Sequence, residues 1–130
     1  MFRILRHQEP QPGQSRTVRF EGRDAGSQVS FFLVDAEPGR GSVLHVHPYP
    51  ETWIVRQGEA EFTVGDDRTR AYPGDIVVAD ANIPHRFENV GAQRLELVCI
   101  HPNDTIVQKI CETVLEKRKR ENRNAKDDLH

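Results

Sequence analysis

The chain has only two cysteines, one methionine, one tryptophan and two tyrosines in its 130 residues. Two thiols cannot build the disulfide framework of a small secreted scaffold, so Cys99 and Cys111 are expected as free thiols in a reducing compartment. No apolar run approaches the ~20 residues that cross a bilayer. The opening MFRILRHQEPQPG also lacks the apolar core of a signal peptide. The expectation is a cytoplasmic protein with no membrane partner. Length bounds the chain to one domain, with no room for a helix-turn-helix module beside it. Net charge is only −2. Residues 117–126, KRKRENRNAK, hold six basic and one acidic residue, leaving the rest with twelve basic and nineteen acidic. An acidic body with a basic tail is not expected to bind nucleic acid.

What is present is concentrated between Gly39 and Gly58, in GRGSVLHVHPYPETWIVRQG. His45 and His47 are two apart, so in a strand both side chains project to one face. Pro48 and Pro50 cannot donate ladder hydrogen bonds, so the strand ends there and turns. Glu51 opens the next strand. Two imidazoles and a carboxylate at one hairpin end make three-quarters of a metal site, and His85 heads a further strand in GDIVVADANIPHRFEN, residues 74–89.

These residues resemble the cupin superfamily. Gly39, His45, His47, Glu51 and Gly58 reproduce its first motif (39–58), and Gly74, His85 and Asn89 match the spacing of its second (74–89). Asp80 stands where the family usually has Pro, and Asn82 where it usually has Gly. Asn accepts the left-handed conformation better than most residues, so the turn is expected to be kept. The resemblance covers roughly residues 29–101. It implies a jelly-roll-like double-stranded β-helix barrel holding one divalent metal ion (Fe, Mn, Ni or Zn) on His45, His47, Glu51 and His85. It does not choose among oxygenases, isomerases, decarboxylases and sugar-binding or storage proteins.

The rest of the chain reads as all-β on its own terms. FRILR (2–6) and RTVRF (16–20) alternate like short strands, and VSFFLV (29–34) reads as a strand covered on both faces. Gly65-Asp66-Asp67 signals a hairpin. Short strands at regular spacing continue to Ile100, as in a sandwich or barrel. Parity turns Val43, Trp53, Val55, Phe62, Phe87 and Asn89 inward. Together they suggest a substrate pocket, although each aromatic taken singly reads as core packing. Arg56 and Arg86 face outward. Tyr49, between two prolines at the rim, is a candidate donor to a metal-bound ligand, and His101 has no metal role by spacing. After Pro102 the apolar positions 106, 107, 110, 111, 114 and 115 predict an α-helix with a capping box at Thr105. That helix would lie on the barrel or on a second subunit, in a homodimer. The expected organisation is a barrel over 1–102 and a helix with a charged tail over 103–130.

Three imidazoles and a carboxylate suit a borderline divalent ion and leave octahedral positions open. The centre would carry a charge near +1 and favour an anionic, chelating small molecule. Glu51 and Tyr49 are the candidate catalytic residues. The expectation is an oxygenase-like, metal-dependent oxidoreductase, the alternatives being a metal-dependent isomerase or decarboxylase, or a non-catalytic metabolite- or carbohydrate-binding module.

Overall fold

The structure is a computed structural model that describes residues 1–111. Ten strands and one short 3-10 helix, Gly22–Ala25, make up the regular structure of the described residues; the strands are β1 Val18–Phe20, β2 Ser30–Ala36, β3 His45–Val46, β4 Glu51–Gln57, β5 Ala60–Val64, β6 Asp67–Ala71, β7 Ile76–Ala79, β8 His85–Asn89, β9 Leu95–His101 and β10 Lys109–Ile110. They form two antiparallel five-stranded sheets, ordered β1-β2-β9-β4-β7 and β10-β3-β8-β5-β6. Successive side chains of a pleated strand alternate between faces. Phe32, Val34, Trp53, Val55, Leu95, Leu97 and Cys99 from the first sheet therefore meet Phe62 and Phe87 from the second, all buried in one core.

Local chemistry fixes the corners. Val64 pairs with Asp67 across a two-residue turn, and Gly65 takes the positive φ of 59° that the turn requires. Gly58 sits at φ 82°, where an added Cβ would stand 2.6 Å from the Arg94 carbonyl oxygen. Only glycine fits there. Asn82 does adopt a left-handed conformation, with φ 65°, and its N–H donates to the His47 carbonyl at 2.8 Å. The second-motif turn is thereby tied to the metal-binding hairpin.

Three expectations are corrected. Residues 2–6 form no strand: Phe2, Ile4 and Leu5 are exposed, and β1 begins only at Val18. The continuous apolar run of β2 is not covered on both faces, because its burial alternates and Leu33 remains 41% exposed. Among the described residues there is no α-helix, and the segment after Pro102 is a strap ending in β10. The strap's backbone groups are engaged elsewhere. Ile106 N–H donates to Glu21 at 2.8 Å, Cys111 N–H donates to the Leu44 carbonyl at 2.9 Å, and Lys109 and Ile110 pair with β3. Ile106 also packs against the core. Thr105 does not cap a helix, since Asn103 donates to both its carbonyl and its hydroxyl oxygen. The later half of the expected helix lies outside the described residues.

Candidate metal centre

Strand register assembles the centre. His45 on β3 pairs directly with His85 on β8, which puts their rings 4.5 Å apart. His47 follows one residue past β3, and Glu51 is the first residue of β4. One ligating atom from each of His45, His47, Glu51 and His85 can be chosen so that all lie within 4.8 Å of one another. All four side chains are buried, at 1–3% exposure. The four residues singled out in the sequence are thus brought together.

The second nitrogen of each ring shows what the cluster is built to hold. His45 Nδ1 donates to the Val43 carbonyl at 2.7 Å, His47 Nδ1 to Val107 at 2.8 Å, and His85 Nδ1 to Ile83 at 3.0 Å. A carbonyl only accepts, so every Nδ1 carries the hydrogen and every Nε2 is left with a lone pair or a second proton. His47 Nε2 and His85 Nε2 stand 2.7 and 3.1 Å from Glu51 Oε1. Yet His47 Nε2 has no aligned hydrogen-bond partner. Nitrogen lone pairs and a carboxylate at that range repel unless positive charge, an Nε2 proton or a metal ion, lies between them. The donor set therefore fits a divalent ion on three Nε2 atoms and Glu51. Burial pushes the His45 pKa down to about 3, which leaves it neutral and able to ligate. Burial alone would raise the Glu51 carboxyl. The imidazoles of His101, His47 and His85 outweigh that and hold it well below its ordinary value, hence anionic.

His101 is the residue that spacing does not find. It is fully buried, with its Nε2 3.5 Å from Glu51 Oε2. Val107 N–H donates to the Tyr49 hydroxyl oxygen at 3.1 Å, and the same hydroxyl is hydrogen-bonded to His101 Nδ1 at 2.7 Å. His101 Nε2 faces the carboxylate without an aligned hydrogen-bond partner. The available signal is parity, since Leu95, Leu97, Cys99 and His101 share the inward face of β9. Tyr49 stacks flat on His47, with ring centroids 5.2 Å apart and planes 5° from parallel. Burial raises its phenol pKa. Removing the hydroxyl (Tyr49→Phe) strands Val107 N–H and His101 Nδ1. That should cost about 1–3 kcal/mol in denaturant unfolding, and an unchanged midpoint would refute the relay.

Trp53, Val55, Phe62 and Phe87 all lie in the packed core, and Trp53 sets its ring against that of His85 with centroids 4.9 Å apart. Val43 is buried beside the cluster strand and supplies the carbonyl for His45. Asn89 is a structural residue. Its Nδ2 donates to the Ala36 and Gln93 carbonyls, and its Oδ1 accepts from Gly91 N–H. Arg56 is exposed and Arg86 half-buried, each next to an inward residue, as parity requires. Cys99 and Cys111 are free, and burial raises the Cys99 thiol well above its usual value.

Two facing antiparallel sheets enclosing a three-histidine, one-carboxylate cluster define a metal-binding cupin. The chain matches the family described as "Cupin domain" over residues 32–101 and belongs to it. A curated relative is mannose-1-phosphate guanylyltransferase 2 of Escherichia coli O157:H7, 26% identical over 87 residues, which are 66% of this chain and 18% of that protein. Among solved structures, a mutant oxalate decarboxylase of Bacillus subtilis aligns with TM-score 0.67 at 23% identity. The formate complex of Lactobacillus farciminis oxalate decarboxylase aligns with TM-score 0.65 at 22% identity. They cover 79% and 72% of this chain but 30% of their own, so the likeness is one of fold.

Proposed function

We propose that this cupin is a single-metal enzyme acting on a small, anionic, oxygen-chelating organic acid or enol, in an oxygenase-like reaction. The observation that carries the reading is the clustering of three imidazoles, each with its Nδ1 held by a backbone carbonyl, around one buried carboxylate. A divalent ion held there would supply Lewis acidity or redox capacity and leave positions open for ligands. With one anionic ligand the centre retains a net charge near +1, which draws an anion.

The chain's own groups shape what happens next. Trp53 and the core behind it exclude bulk water on the His85 side, strengthening local electrostatics. Glu51 keeps one oxygen toward the ligand histidines and the other 3.5 Å from His101 Nε2, so the buried His101 ring limits how far the carboxylate turns. A carboxylate retains basic lone pairs that a ligating imidazole lacks, which makes Glu51 the group to accept a substrate proton. Tyr49 is half-buried at the rim, with its hydroxyl already committed to His101. Its role is to hold this arrangement.

A second reading, a decarboxylase, is supported by the solved structures of similar fold, which are oxalate decarboxylases; the Bacillus subtilis enzyme is described with Mn(II) centres. Protein loaded separately with manganese and iron, then supplied with small carboxylates and enols, separates the two. Oxygen uptake supports the first reading, and carbon dioxide release without net oxygen consumption supports the second. Glu51→Gln should lower turnover by about 100-fold or more while weakening metal binding far less. No turnover of any chelating acid, with a neutral sugar bound and the metal's spectrum unchanged, would leave a binding module.

A further inference from the structure

Among the described residues, three buried side-chain polar atoms have no hydrogen-bond partner: His47 Nε2, His101 Nε2 and Gln108 Oε1. Buried polar groups are nearly always paired, so an orphan marks a place where something else is to bind. His47 belongs to the ligand set, and His101 Nε2 faces Glu51 Oε2 at 3.5 Å. Nothing within the chain accounts in the same way for the Gln108 oxygen.

Two features place this side chain. β10 runs antiparallel to β3, with Lys109 opposite Val46 and Ile110 opposite His45. Continued by one residue, that register sets Gln108 level with His47. Residues level with one another on paired strands project to one face, and His47 projects to the centre. From the other end of the strap, alternation gives Gln108 the same face as Ile106, which packs against the core. Its neighbours Val107 and Lys109 are exposed. The backbone beside it is fixed, because the Val107 carbonyl accepts from His47 Nδ1 at 2.8 Å and Val107 N–H donates to the Tyr49 hydroxyl at 3.1 Å. The strap thus carries an unpaired amide oxygen past the ring of a metal ligand.

We propose that Gln108 selects the substrate: its side-chain carbonyl accepts a hydrogen bond from an O–H of the acid bound at the centre. Resting on the chelating-acid function proposed above, this role narrows the substrate to α-hydroxy acids and enols. A carbonyl oxygen only accepts, so what lies against it must donate. An α-hydroxy carboxylate meets both demands of the site, since its two oxygens chelate and its hydroxyl hydrogen is left to donate. An α-amino acid also donates, but its ammonium would face three imidazoles and the positive charge of the ion. A neutral sugar offers hydroxyls without the anion that the centre attracts. A site that hydrogen-bonds an O–H rejects the analogue lacking it, because its own buried group is then left unpaired.

The full chain loaded with Mn(II) tests this, with glycolate and methoxyacetate as probes. The methyl ether keeps the chelating oxygens and removes the O–H. Binding is read by calorimetry and by the change in the Mn(II) electron paramagnetic resonance spectrum, without turnover. The ratio of the methoxyacetate to the glycolate dissociation constant should be about tenfold larger for the wild type than for aqueous Mn(II). Gln108→Met, of similar length and without the carbonyl, should lower that ratio about tenfold. Its manganese content should match the wild type's. Its metal-free melting temperature should equal or exceed the wild type's, because an unpaired buried oxygen contributes no stability. A melting temperature well below the wild type's makes Gln108 a structural residue and overturns the proposal. An unchanged ratio, with both acids still bound at the metal, overturns it and leaves the chelating-acid function standing. If neither acid alters the Mn(II) spectrum of the wild type, that function fails and the role of Gln108 with it.

Discussion

His47→Ala should abolish stoichiometric divalent metal binding, with affinity falling more than about 100-fold, beyond the 10- to 100-fold that losing a supporting partner costs. Two things go with this side chain. One is a ligating Nε2 that stands 2.7 Å from Glu51 Oε1, and the other is the Nδ1 bond that ties the strap to the centre through Val107. The sheets should nevertheless stay folded, because Trp53, Phe62, Phe87 and the leucines of β9 bury the core without it. Elemental analysis after dialysis against manganese or zinc, beside a thermal melt with and without metal, separates site loss from unfolding. The wild type should gain melting temperature with metal, since an ion that binds only the folded chain stabilises it by mass action. A His47→Ala protein that keeps one metal per chain would show that the ligand set is wrong.

The metal-free chain should lose stability as pH falls below about 6.5, and the sign follows from His45. Its pKa is about 3 in the folded chain, pushed there by burial, against an ordinary value of 6.5. Between those values the unfolded chain takes up a proton that the folded chain refuses. Stability therefore rises with pH across that window and is complete above it, a span on the order of 5 kcal/mol. Glu51 acts in the same direction lower down. Its folded pKa is well below the ordinary value of 4.5, so its contribution is lost as pH falls from there through the folded value. Urea unfolding of chelator-treated protein at pH 7 and pH 5 should differ by about 2 kcal/mol, and a conservative neutral replacement of His45 should remove most of that difference. Equal stability at both pH values would mean that His45 is not held neutral.

Legibility in the sequence follows the reach of each interaction. The hairpin at Gly65, the left-handed Asn82 and the inward pairing of His45 with His47 depend on spacings of one to three residues, and backbone geometry fixes those. His85 is legible through the family motif, although what places it is its register opposite His45. The strap is not legible. Apolar residues at 106, 107, 110 and 111 satisfy a helical period, and nothing local shows that their backbone groups are claimed by Glu21, His47, Tyr49 and Leu44. Spacing misses His101 because its role depends on Tyr49, fifty-two positions away. The β2 run misleads for a related reason. A row of apolar residues looks the same whether its outer half is covered by the chain itself or left open.

The single tryptophan gives the protein an optical property. Trp53 is 1% exposed, rests against Phe62 with ring centroids 5.0 Å apart, and meets the ring of His85 edge-on at 4.9 Å. All indole emission from this chain therefore originates in contact with the ring of His85, a residue of the metal-site cluster, in dry surroundings that keep it blue. A paramagnetic ion at that range quenches an excited indole, whereas a closed-shell ion such as zinc leaves its light largely intact. Occupancy of the centre, and whether the occupant carries unpaired electrons, can thus be read as brightness from unlabelled protein.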